Sequence, residues 1–236
     1  MNISNEELFN KIFQKGSLKQ DIYQITLESI RTFKKEAKKL VKEYPKTHGQ
    51  NMDRSRIPVT FQDRGEFEFE LRFGGDILLF IMHTNIFEIP RNHEIRNTRY
   101  IKDDTERSYC GMLHIYNFLA DSFKYGREDD AGYLIGRLMV NKENHYFIEG
   151  KKEIGMIYHH FENSILDKEA IQQIISSAME YTVNFDLLIP PYEAVQIISV
   201  ADLQLSYRGR SLRTAKRMGF KFQADKKEVK GMHSNE

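Results

Sequence analysis

The densest chemistry in this 236-residue sequence is a run of cations near one end. Between Tyr207 and Lys221 stand Arg208, Arg210, Arg213, Lys216, Arg217 and Lys221, with no acid among them. Steps of three and four put Arg210, Arg213, Arg217 and Lys221 on one helical face, beside a narrow apolar side of Leu205, Leu212, Ala215 and Met218. Guanidinium forks match phosphate oxygens, so this helix, expected over 200–218, is the candidate nucleic-acid contact. Cations near a helix C-terminus also stabilise the helix itself, and that structural use competes with the functional one.

Other reactive residue types are present without the spacing that chemistry needs. Of eight histidines, His159-His160 with Glu162 is the densest group, and no His-Glu-x-x-His or His-x-x-x-His pattern occurs. A first-row metal site gathers three or more ligands, so no metal and no cofactor is expected. The lone cysteine, Cys110, excludes an internal disulfide and lies in an apolar strand pattern, as a small buried hydrophobe does. His114 follows it by four residues, which on a strand is about 13 Å, too far for a nucleophile and its base. Glu66, Glu68 and Glu70 put three carboxylates on one strand face, a candidate metal set or acidic dock. Hairpin pairing would set Leu79 and Ile81 against Glu70 and Glu68, leaving Glu66 with His83 as the one polar match. No Gly-x-Ser-x-Gly, phosphate loop or dinucleotide fingerprint appears, and no catalytic residue is assigned.

One short stretch has a family echo. Arg72-Phe73-Gly74-Gly75-Asp76 resembles the start of the GGDEF signature of diguanylate cyclases, which carries metal and nucleotide contacts on a hairpin turn. The family's pattern continues with Glu-Phe, where Ile77-Leu78 stand here, and needs an aspartate on an upstream strand. Upstream lies a lysine-rich helical stretch without aspartate between Ile22 and Tyr44. Two-metal phosphoryl transfer requires both carboxylate sources, so the Gly-Gly is read as a hairpin turn.

The elements follow from period. Phe67, Phe69, Leu71 and Phe73 alternate with polar residues, Gly74-Gly75 turns the chain, and Asp76 to His83 returns as an apolar strand. Tyr109 to Leu119 reads as a strand apolar on both faces, and Tyr133 to Val140 with His145 to Ile148 as a second hairpin. Ser4 with Glu7 predicts a helix with Leu8, Phe9, Ile12 and Phe13 on one face, which stops at Gly16. Ser17 with Gln20 predicts a second, running to Tyr44, with Lys34, Lys35, Lys38, Lys39 and Lys42 set against its C-terminal dipole. Arg91 to Glu106 reads as a long surface loop. Asp167 predicts the cap of a helix with a stripe through Ile171, Ile174, Ile175 and Ala178. A last strand is expected over Glu193 to Ile198.

Strand-rich and helix-rich blocks are segregated, which predicts an α+β fold: a mainly antiparallel sheet of about five to six strands with N- and C-terminal helices packed on it. The expected organisation is one domain over 1–222, with N-terminal helices in 1–44, the sheet in 59–150 and a helical part in 151–222, followed by a disordered tail over 223–236. The formal net charge of +1 leaves no global field toward nucleic acid or an anionic membrane. No membrane contact is expected, and the acidic start lacks the order of a signal peptide, so a cytoplasmic setting is expected. The functional expectation is a non-catalytic intracellular binding or adaptor protein with a protein partner. A nucleic-acid- or ribosome-associated protein using helix 200–218 is the alternative, and an enzyme of unrecognised type the second.

Overall fold

Ser4 starts the first helix. Its hydroxyl accepts the Glu7 N–H at 3.2 Å while the Glu7 carboxylate accepts the Ser4 N–H at 3.2 Å, a reciprocal capping box. The computed structural model describes residues 3–44, 56–128, 130–150, 160–186, 189, 191–197, 199 and 200. In it this helix, α1, runs unbroken over Asn5–Glu43, so the stop expected at Gly16 does not occur. A helical glycine costs about 0.5–1 kcal/mol relative to alanine, too little to end a helix with a cap before it and a buried stripe after it.

The sheet is a meander of β1 Thr60–Asp63, β2 Glu68–Phe73, β3 Asp76–Glu88, β4 Tyr109–Leu119, β5 Tyr133–Asn141 and β6 Tyr146–Gly150, lying side by side in chain order and antiparallel. The Gly-Gly turn pairs Phe73 with Asp76, Glu70 with Leu79 and Glu68 with Ile81, the register that the alternation predicts. Gly74 adopts φ 56°, which suits glycine. The hairpin is not the start of the sheet, because β1 precedes it. This edge strand buries none of its four residues fully, so its sequence shows no apolar alternation.

One sheet face carries the main core. Phe69 stacks on Phe80 with centroids 4.6 Å apart, and Phe33 of α1 meets Phe80 at 5.8 Å. Over this face lie α1, through Leu27, Ile30, Phe33 and Ala37, and a helix α4, Lys168–Val183, through Ile171, Ile174, Ile175 and Ala178. The Asp167 side chain caps α4 by accepting the Ala170 N–H at 2.8 Å. The approach of α1 is closest at Gly111 in β4, where any Cβ would overlap the Thr26 side chain. The fold is thus α+β, with helices packed on an antiparallel sheet.

The opposite face carries a smaller cluster around Ile89, Ile101, Cys110, Met139, Phe147 and Phe161. Residues 91–106, expected as a loop, instead wind into a 3-10 turn Glu94–Asn97, a short helix α2 Arg99–Asp103 and a 3-10 turn begun at Thr105. Thr98 caps α2 and Asp104 caps the last turn, while buried Ile101 anchors the segment. Local caps and one apolar anchor are enough to order a stretch whose composition is polar.

The elements above, up to Asn184, form one compact unit that excludes residues 119–131. A second unit takes residues 119–131 and 185–236. Its described part holds α3, Ala120–Lys124, with Ser122 donating to Asp130 at 2.7 Å. It also holds α5, Tyr192–Val195, which replaces the strand expected over 193–198. Pro191 stands at the N-cap of α5, and proline's fixed φ suits the start of a helix. The helix expected over 200–218 and the tail over 223–236 lie outside the described residues, save Val200.

Candidate interaction surface

The first three turns of α1 carry an exposed apolar stripe. Every residue from Ile3 to Gly16 is exposed, and the first buried residue of the helix is Leu18. Leu8, Phe9, Ile12 and Phe13 are 44%, 64%, 60% and 74% exposed, at spacings that put them on one face. Twenty residues on, Phe33 of the same helix is fully buried. Phenylalanine side chains exposed together in one stripe mark an interaction site more often than chance exposure does. The sequence reading assigns these four residues to a helical face but not to a free one, because period reports which residues share a face and not what covers it.

The second surface is the outer side of the same helix, farther along. A shallow groove of about 640 Å³ is lined by Arg31, Lys35, Lys38, Lys39, Lys42 and Lys168, among others, with Glu36 the one acid on its described walls. The Glu36 carboxylate accepts from Gln172 at 2.5 Å. Only Lys42 falls in the last turn of α1, so the dipole role expected for the whole lysine group does not apply to the others. Lys34 has a different task. It is buried, donates to Asp63 at 2.7 Å and to the Gly65 carbonyl, and so ties α1 to β1. The Lys34 hydrogen bond keeps the Asp63 carboxyl below the usual carboxylate value.

Polar side chains on the second sheet face converge without forming a reactive centre. His114 faces Arg137 across β4 and β5, and Arg137 faces Glu149 across β5 and β6. Glu149 is engaged at both oxygens, by Arg137 Nε at 2.7 Å and by His93 Nε2 at 3.2 Å. Burial, and then the charges of Arg137 and His83, hold the His114 imidazole below its ordinary value. Glu70, one of the three carboxylates of the candidate metal set or acidic dock, is buried between Arg64 at 2.5 Å and Arg72 at 2.6 Å. Glu66 pairs with Arg31 at 3.3 Å rather than with His83. The three strand carboxylates are thus not a common dock.

A third cluster locks the 91–108 segment to the β5–β6 turn. The Tyr100 hydroxyl donates to Glu143 at 2.7 Å and accepts from Asn141 at 2.9 Å. Arg107 covers the Tyr100 ring at 4.4 Å and donates to Glu143 at 2.9 Å. His145 stacks on the Tyr100 ring itself, with centroids 4.9 Å apart. Burial raises the Tyr100 phenol above its ordinary value. Lys142 meets Asp104 at 2.8 Å and Glu106 at 2.6 Å. Every charge here has a partner, as structural networks require.

Cys110 is fully buried, and burial raises its thiol, which leaves it without thiolate character. Among the described residues no three His, Cys, Asp or Glu side chains gather closely enough to hold a metal ion. Among the same residues no helix is long and apolar enough to cross a membrane. Arg208, Arg210, Arg213, Lys216, Arg217 and Lys221, and His159 of the His159-His160 pair, lie outside the described residues. Comparison with known proteins finds no matching family model, no similar curated protein and no similar solved structure.

Proposed function

We propose that this chain is a non-catalytic intracellular binding or adaptor protein whose partner contact is the first three turns of α1. The observation that carries this reading is the exposed stripe Leu8, Phe9, Ile12, Phe13 on a helix whose remainder is anchored in the core. A capped helix end offers a preformed groove-filling element, so docking pays little ordering entropy. The histidine and carboxylate clusters support the same reading, because their charges are spent on each other. The test compares proteins co-purifying with wild type and with a Phe9→Ser, Phe13→Ser variant. Partners held by the first and lost from the second support docking through the arm. Identical profiles, or turnover by the purified protein in a broad substrate panel, overturn it.

The nucleic-acid alternative draws on the lysine groove of α1 as well as on the helix that the sequence predicts over 200–218. Seven cations line that groove and, Lys34 aside, form a local field that the net charge of +1 conceals. A salt titration with labelled duplex and single strands tests it. Binding that falls steeply with salt, and falls again when Lys35, Lys38 and Lys39 are changed to Gln, favours this alternative. Absence of binding at low salt removes it.

A further inference from the structure

We infer that the outer ridge of α1 from Arg31 to Lys42 binds duplex DNA along its phosphate backbone, without reading base sequence. The inference rests on the nucleic-acid alternative above, and assigns it to this ridge and to a duplex. Arg31, Lys35, Lys38 and Lys42 follow one another in steps of four, three and four, which lines them up on one side of the helix. All four are exposed. Lys39 and Lys168, the first residue of α4, are exposed beside this line on the same groove. The one acid on the described walls, Glu36, is buried and engaged by Gln172. Arg31 meets Glu66 at 3.3 Å, Lys38 meets Asp63 at 3.6 Å and Lys39 meets Glu43 at 3.9 Å, all between half-exposed side chains. Solvated pairs of this kind are weak and exchange readily for a phosphate. Among the described residues Lys35, Lys42 and Lys168 have no ion pair.

The neighbours of α1 restrict the contact to phosphates. One flank is held by α4, where Gln172 reaches Glu36, and the other by β1, where Asp63 accepts from Lys34. A B-form major groove, about 12 Å wide, has room for one bare helix and none for elements packed on both its sides. The ridge is about 17 Å long at 1.5 Å per residue, and over that length a duplex presents about ten phosphates, about five of them on the nearer strand. Six exposed cations on a rigid helix answer that charge. A single strand would have to be ordered to follow the ridge, and no aromatic side chain on the described walls rewards that ordering by stacking. The described walls also hold no neutral polar side chain to pair with the 2′-hydroxyls by which RNA is told from DNA. Near-equal steps of about 4.5–6 Å along the helix suit a regular polyanion better than the irregular carboxylates of an acidic polypeptide.

Fluorescence anisotropy of labelled duplex DNA with the purified full chain, repeated over a range of salt, tests the ridge. Affinity should be the same for unrelated base sequences and fall with a log–log slope of about −4 to −5, as four to six neutralised phosphates require. Lys35→Gln, Lys42→Gln and Lys168→Gln together should flatten that slope by nearly three units, at about 0.9 per lost contact. The three positions are exposed, so this variant should melt like wild type. The corresponding triple change to Arg should keep both affinity and slope, because the ridge reads charge. No binding of duplex DNA at low salt overturns the inference and the nucleic-acid alternative together. Duplex binding that ignores the ridge variants and is lost in Arg210→Gln, Arg213→Gln, Arg217→Gln leaves the alternative standing and overturns the ridge. Tighter binding of single strands, of duplex RNA or of polyglutamate overturns the assignment to duplex DNA.

Discussion

The two ends of α1 carry the same kind of pattern and have opposite fates. Leu8, Phe9, Ile12 and Phe13 repeat at helical spacing and are exposed, whereas Ile22, Ile30, Phe33 and Ala37 repeat at helical spacing and are fully buried. The difference lies in what stands opposite. The later turns cross a sheet face that offers Phe69, Leu78, Phe80 and Leu113, and Gly111 lets Thr26 settle against the strand. In the earlier turns Lys15 reaches over the Tyr109 ring at 5.3 Å, while Leu8, Phe9, Ile12 and Phe13 stay exposed. An amphipathic period is a request for a partner, and only the fold shows whether the request is met within the chain.

The largest expected effect separates the two ends directly. Phe33→Ala should cost about 3–5 kcal/mol, the range for a buried phenylalanine, whereas Phe13→Ala should change monomer stability by no more than about 0.5 kcal/mol. Denaturant melts of both variants at low protein concentration check this. Equal losses would break the comparison, because they would mean the arm is packed on its own chain.

Gly111→Ala probes the seat of the buried end. The added methyl must displace Thr26, and overpacking of this kind costs about 1–3 kcal/mol. The double variant with Thr26→Ala, which removes the hydroxyl nearest to the added methyl, should recover part of that loss. Failure of any loss to appear would show α1 shifting freely on the sheet.

Acid should weaken the body without a like effect on the arm. His114 is held below its ordinary value, so its contribution is present above about pH 6.5 and is lost as pH falls through the lowered folded value. Asp63 is likewise lowered by Lys34, so its contribution is present above the ordinary carboxyl value near 3.8 and is lost as pH falls further. Stability is therefore expected to decline in two stages, first below about pH 6.5 and again below about pH 4. Titration of the imidazole resonances checks the first stage, where His114 should protonate below the ordinary range. His114→Gln should flatten that stage alone.

The smallest effect sharpens the boundary between the two ends. A side chain at Gly16 would meet nothing within 4 Å, so Gly16→Ala should strengthen the junction by about 0.5–1 kcal/mol of local helix stability. Amide exchange in residues 5–16 should slow while exchange in the core strands stays unchanged. An unchanged arm would show that Gly16 does not limit its order.

Much of the body was legible in the residue order. Alternation along Phe67 to Phe73 and the Gly74-Gly75 turn predicted both the hairpin and its register, because a pleated strand has a strict period of two. The caps Ser4 and Asp167 marked two helix starts, since a side-chain oxygen is needed wherever backbone N–H groups are left unpaired. The continuity of α1 through Gly16, the edge strand β1 and the turns at 94–108 were not legible. In each, a modest local preference was outweighed or completed by contacts from distant residues, such as Lys34 with Asp63 and Tyr100 with Glu143.

The sequence by itself determined which residues share a face, where helices begin and which strands pair as neighbours, because these depend on period and on nearby backbone chemistry. Tertiary structure alone decided which faces are covered and which charges are spent. Glu70 belonged to a candidate acidic dock and is buried between two arginines, and Phe9 and Phe13 shared a helical face of unassigned cover and stand exposed. Burial is set by chain segments far apart in sequence, so no local pattern can report it.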